Sequence, residues 1–80
     1  MILNVIKAEH IKDYQVLLDF DNGKSVTVDL KNTIFNERRK IFHPLQDVEY
    51  FKNFKIKFNT ITWDNEADFA PEFLFELGKV

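Results

Sequence analysis

Tyr14-Gln15-Val16-Leu17-Leu18-Asp19-Phe20 and Ser25-Val26-Thr27-Val28-Asp29 are β-branched and aromatic runs held apart by Asp21-Asn22-Gly23-Lys24. Two such runs around an Asn-Gly pair read as a β-hairpin. The loop length follows from the side-chain pattern. A two-residue Asn22-Gly23 loop sets Phe20 opposite Ser25 and Leu18 opposite Thr27, which mixes apolar with polar. A three-residue loop, with Gly23 left-handed at a bulge, sets Leu18 opposite Val26 and Val16 opposite Val28. A slip of one residue turns every side chain to the other face, so the three-residue loop is the expected one.

The neighbouring segments extend this hairpin. Asn4 to His10 alternates Val5, Ile6 and Ala8 with Lys7 and Glu9 and reads as a first strand. After the hairpin, Asp29 is placed to cap a short helical turn that brings Leu30 and Ile34 inward. Asn36-Glu37-Arg38-Arg39-Lys40 is polar and reads as a loop. Pro44 suits the first turn of a middle helix through Asn53, where its missing N–H is not needed, with Leu45, Val48 and Phe51 as the inward stripe.

A second hairpin is predicted beyond it. Phe54, Ile56 and Phe58 alternate with Lys55 and Lys57, and Ile61 and Trp63 alternate with Thr62 and Asp64. A two-residue Asn59-Thr60 turn pairs Phe58 with Ile61 and Ile56 with Trp63, gathering the apolar residues on one face. Trp63 is therefore expected in the core. Asp68 is positioned to cap a last helix that has Pro71 in its first turn and Glu72 near its positive end. Phe69, Phe73 and Leu77, joined by Leu74, form its stripe, and Gly78 ends it. The expected architecture is one α+β domain over residues 1–80. It has a small antiparallel sheet of two hairpins plus an N-terminal strand, with a short middle helix and a C-terminal helix packed on one face.

Composition supports a small aromatic core. Nine Phe, two Tyr and one Trp occur in 80 residues, and each ring can bury ~150–250 Å², enough to fill a small core without a covalent staple. There is no Cys, which excludes disulfides, thiolate metal ligands and a cysteine nucleophile and fits a reducing cytoplasm, the expected location. No apolar run approaches the ~18–20 residues of a membrane span, and Met1-Ile2-Leu3-Asn4 opens no signal peptide. The net charge of −2 lacks the basic excess with which nucleic-acid binders neutralise phosphate. Charge is nevertheless uneven. Arg38-Arg39-Lys40, Lys52, Lys55 and Lys57 make the middle basic, while Asp64, Glu66, Asp68, Glu72 and Glu76 make the later stretch acidic. Two solvated faces explain this, and so do two faces that meet partners.

A search for chemistry finds no catalytic, cofactor-binding or metal-binding constellation. Gly23 and Gly78 are the only glycines and stand too far apart for a phosphate-cradling loop. Ser25, the only Ser, follows a hairpin turn, a poor setting for an activated nucleophile. His10 and His43 have no partner at ligand spacing. Asp64-Asn65-Glu66-Ala67-Asp68 opens like a calcium loop, but Phe69 stands where that loop needs Gly and Phe75 where it needs a bidentate Glu. A polar turn ending in a helix cap accounts for the same residues. No acidic pair is singled out for acid–base work, so no enzymatic activity and no cofactor are expected.

Several segments, in order, resemble a family of small bacterial proteins, domain-of-unknown-function family 2442. They are Leu17-Leu18-Asp19-Phe20-Asp21-Asn22-Gly23-Lys24, Val28-Asp29-Leu30, Pro44-Leu45-Gln46-Asp47 with Phe51, and Ile61-Thr62-Trp63-Asp64-Asn65-Glu66-Ala67-Asp68 with Pro71-Glu72. The ending from Trp63 to Glu72 is the most specific. The chain departs from the family in carrying Glu66 where Gly is expected after Asn65, in Phe73-Leu74-Phe75, and in a long Leu30–His43 connection. The resemblance implies an α+β fold and no established activity. It also implies company: relatives are fused to helix-turn-helix domains or encoded beside another small protein in pairs that look like toxin–antitoxin modules.

The expected function is thus a protein-interaction module, an antitoxin-like or accessory partner of a small basic protein. Its contact residues are expected to be Asp64, Asn65, Glu66, Asp68 and Glu72. A second copy of the chain is a further candidate partner. The alternative is a nucleic-acid-associated regulatory domain using Arg38, Arg39 and Lys40, with little binding expected of the isolated chain, and no membrane partner is expected.

Overall fold

Strands β1 (Val5–Lys12), β2 (Gln15–Phe20) and β3 (Ser25–Asp29) form an antiparallel sheet in that order in a computed structural model that describes residues 3–78. Leu18 faces Val26 and Val16 faces Val28, the register that the apolar pattern demands. The Phe20 N–H donates to the Lys24 carbonyl at 2.8 Å and the Gly23 N–H to the Phe20 carbonyl at 3.1 Å. Gly23 has φ +84°, so the loop is the three-residue form whose bulge needs a left-handed glycine. β1 runs two residues further than Asn4–His10 suggested, with register breaks at Ile6 and Ile11.

The inner face carries Val5, Val16, Leu18, Phe20 and Val28, all buried. Helix α1 (Lys31–Phe35) follows β3. Its Leu30 and Ile34 are fully buried, and Asp29 Oδ1 accepts the Lys31 N–H at 3.0 Å. Helix α3 (Pro71–Gly78) lies on β3. Its backbone comes so close at Gly78 that a Cβ there would stand 2.7 Å from the Val26 Cβ. No helix among the described residues is long and apolar enough to cross a membrane.

Three local expectations are corrected. The middle helix from Pro44 to Asn53 is two pieces: a 3-10 segment (Lys40–Gln46) that contains Pro44, and α2 (Val48–Phe51). Asp47 breaks them because its backbone is extended (ψ 116°) and its carboxylate caps α2 by accepting the Glu49 N–H. Leu45 and Phe51 are buried, whereas Val48 is half-buried. Asp68 does not cap the last helix, which begins only at Pro71; it forms a bridge with Thr62 instead. On α3 the fully buried residue is Leu74, while Phe73 is 42% exposed.

The third correction is the second hairpin. β4 (Lys55–Lys57) and β5 (Thr60–Thr62) pair as a separate two-stranded sheet, so the five strands make two sheets. Ile56 faces Ile61 rather than Trp63, and Lys57 faces Thr60, so the turn sits one residue earlier than expected and each pairing shifts by two. The turn is Phe58-Asn59, with φ of +53° and +62°, the left-handed pair that matches strand twist in a tight hairpin. Binary patterning failed here because it treated threonine as a solvent residue. Thr60 and Thr62 are buried, and their hydroxyls donate to the carbonyls of Phe69 at 2.5 Å and Ala67 at 2.7 Å. With both faces of β5 buried, alternation no longer fixes which residue points inward.

Candidate functional site

The acidic stretch after β5 is built around Trp63. Its ring is 2% exposed and packs against Phe51, Phe54 and Phe69, with centroids 5.7, 6.3 and 5.9 Å away. Its Nε1–H donates to the Phe51 carbonyl at 2.8 Å. Trp63 is core, as the pattern indicated. The chain then turns sharply: the Trp63 carbonyl accepts the Glu66 N–H at 2.9 Å, and the Trp63 N–H donates to the Ala67 carbonyl at 3.0 Å. Glu66 takes φ +71°. The backbone is thus left-handed at the position where the resemblance leads one to expect glycine.

The five acidic-segment residues separate into two roles. Asn65 and Glu72 brace the fold. Asn65 Nδ2 donates to the Ile41 carbonyl at 2.7 Å while its Oδ1 accepts the Ala67 N–H at 3.1 Å, and Glu72 Oε2 accepts the Leu3 N–H at 3.3 Å. Asp64, Glu66 and Asp68 are exposed. They line an open concavity of about 240 Å³ together with Lys55, Lys57 and Phe58. Lys55 Nζ lies 2.5 Å from Asp64 Oδ1. That hydrogen bond, then the charges of Lys55 and Lys57, hold the Asp64 carboxyl below the ordinary range.

Phe58 departs furthest from its expected place. It was expected on the inward face and is instead 83% exposed at the tip of the second hairpin. The available signal was Asn59, a residue that tolerates the left-handed region where most others do not. Lys57 Nζ lies 5.9 Å from the Phe58 ring centroid, so an aromatic face with a flanking cation stands beside the acidic turn.

The basic run gives a different picture. Arg39 forks onto Glu37, with Nε–Oε1 at 3.1 Å and Nη2–Oε2 at 3.0 Å. Its guanidinium lies 4.8 Å from the Phe42 ring centroid. The Arg39 hydrogen bonds, above all, keep the Glu37 carboxyl below its ordinary value. Arg38 and Lys40 are exposed. Lys52 pairs with Glu49 at 3.0 Å and Lys55 with Asp64. Half of the basic middle, Arg39, Lys52 and Lys55, is therefore paired with acidic neighbours. Elsewhere, His10 Nε2 sits 2.8 Å from the Asp13 carbonyl. Among the described residues no three acidic or histidine side chains gather as metal ligands.

Compared with known proteins, a family model described as a protein of unknown function (DUF2442) matches residues 5–79. No curated protein and no solved structure matches the chain.

Proposed function

We propose that the chain, which belongs to the protein-of-unknown-function family DUF2442, is a protein-interaction module that engages a small basic partner through its second hairpin and the acidic turn beside it. One observation carries this reading: Phe58 is 83% exposed while held at φ +53°. A bulky residue in that region costs about 1–2 kcal/mol, and here the cost is not offset by burial. Strain of this kind concentrates where function fixes a side chain. Exposed aromatics are also common anchors of protein interfaces.

The acidic neighbours supply the complementary charge. Glu66 and Asp68 take part in no ion pair among the described residues. Asp64 stays ionised beside Lys55, so an incoming cation can share or replace that pairing. Charge of this sort steers encounter and selects a partner's sign more than it adds affinity. An antitoxin-like role, in which a small acidic chain covers a small basic protein, suits this surface, and it assigns the chain no catalytic step.

The test is capture of partners by the tagged protein from its native cells. The wild type and a variant with Arg38, Arg39 and Lys40 changed to Ala should retain the same basic protein. Phe58→Asn and the double charge reversal Glu66→Lys, Asp68→Lys should lose it. A partner that survives both of the latter changes binds elsewhere and refutes the assignment.

A further inference from the structure

The two edges of the three-stranded sheet differ in how they are guarded. β1 carries two register breaks, at Ile6 and Ile11, and its exposed face bears Lys7 and Lys12. Its first N–H, of Val5, is taken by the Asn59 carbonyl at 2.9 Å, and β4 and β5 lie against it. Bulges, lysines and a covering element are the usual means of keeping an edge from pairing with another chain. β3 has neither bulge nor lysine, and α3 meets it on the apolar face, at the Val26 and Val28 side chains. Ser25-Val26-Thr27-Val28-Asp29 is regular, free of Pro, Lys and bulges, and rich in β-branched residues.

The direction of its main-chain groups follows from the bonds that flank it. Phe20 donates to Lys24 at one end of the hairpin, and Leu30 donates to the Tyr14 carbonyl at 3.0 Å at the other. Antiparallel ladders alternate bonded and non-bonded pairs. Val26 and Val28 therefore exchange bonds with β2, and the N–H and C=O groups of Ser25, Thr27 and Asp29 point away from the sheet. These three residues are exposed.

We infer that the β3 edge takes the β3 edge of a second copy of this chain, joining two three-stranded sheets into one six-stranded sheet across a two-fold axis at Thr27. The segment is self-complementary about that residue. Thr27 meets the partner's Thr27, and the outward main-chain groups of Ser25 meet those of the partner's Asp29. Val26 then lies opposite the partner's Val28 on the apolar face. The Ser25 hydroxyl already donates to Asp19 Oδ1 at 2.6 Å, so the pairing rests on main-chain bonds, and a Thr–Thr pair is a favourable cross-strand contact. Such an isologous pairing closes on itself and leaves no β3 edge to propagate. This edge is separate from the Phe58 surface, so neither proposal depends on the other.

The N–H of Thr27 points away from β2, which provides a clean variant. Thr27→Pro removes that donor without removing a bond to β2. Thr27→Lys places two ammonium groups together on the axis. In sedimentation velocity the wild type should show a concentration-dependent dimer, and both variants should stay monomeric with the wild-type far-UV circular dichroism. Because the chain has no cysteine, Thr27→Cys should form an intermolecular disulfide on mild oxidation, whereas Glu9→Cys on β1 should not. A wild type that is monomeric at every concentration, or a dimer unchanged by Thr27→Lys, overturns the inference. So does loss of a different protein partner, rather than of self-association, in that variant.

Discussion

Replacing Phe58 by Asn should make the protein more stable while removing its proposed anchor. Phe58 is 83% exposed, so truncating it forfeits little buried apolar area, at ~25 cal/mol per Å². Its φ of +53° costs a bulky side chain about 1–2 kcal/mol relative to right-handed backbone. Asn recovers part of that, because it is among the residues that adopt both positions of this turn readily. The expected net gain is about 0.5–1 kcal/mol, half of the strain or less. For a domain of 60–100 residues each kcal/mol moves the melting temperature by roughly 4–8 °C, so a rise of about 2–8 °C is expected. Thermal unfolding followed by far-UV circular dichroism measures it, with a urea titration to check that the slope is unchanged. A melting temperature below wild type refutes the reasoning, since it means that the ring is held by contacts that exceed the strain. Combined with loss of partner capture, a stabilised variant separates binding from folding.

Five further outcomes test other parts of the structure. Trp63→Ala removes a ring 2% exposed and orphans the Phe51 carbonyl; a loss of ~3–5 kcal/mol should leave the chain unfolded or nearly so, and melting within a few degrees of wild type excludes a core role. Gly23→Ala should cost on the order of 1 kcal/mol from backbone strain alone, because open space surrounds its Cβ position. Gly78→Ala should cost ~1–3 kcal/mol from overpacking against Val26; urea unfolding of the pair distinguishes the two mechanisms. Asp64 has its pKa lowered by Lys55. The linked stability is therefore present above the unfolded carboxyl pKa and lost as pH falls through the folded one, and Asp64→Asn should flatten the acid side of a melting-temperature–pH profile. The isolated chain should show no specific duplex DNA binding at physiological salt; a tight complex abolished when Arg38, Arg39 and Lys40 become Ala, read by fluorescence anisotropy, would reverse the preference for a protein partner.

Sequence alone determined the elements whose signals are local. Asn22-Gly23 with flanking alternation set the first hairpin to its register, because only one loop length kept Val16, Leu18, Val26 and Val28 on one face. The spacing of Leu30 and Ile34 placed the first helical turn, and the quoted motifs pointed to the family whose model matches residues 5–79. Its ring was legible as core from period-two alternation. The acidic stretch was legible as charge, but not as roles. That Asn65 and Glu72 brace the backbone while Asp64, Glu66 and Asp68 face solvent depends on partners as distant in sequence as Ile41 and Leu3. Tertiary structure also decided the second hairpin. Buried carbonyls of Phe69 and Ala67 accept the hydroxyls of Thr60 and Thr62, which lets both faces of β5 go inside. Once polar groups are satisfied by hydrogen bonds that only the folded chain supplies, burial no longer follows hydrophobicity. The turn then moves one residue earlier, the pairing shifts by two, and Phe58 stands at the hairpin tip in water.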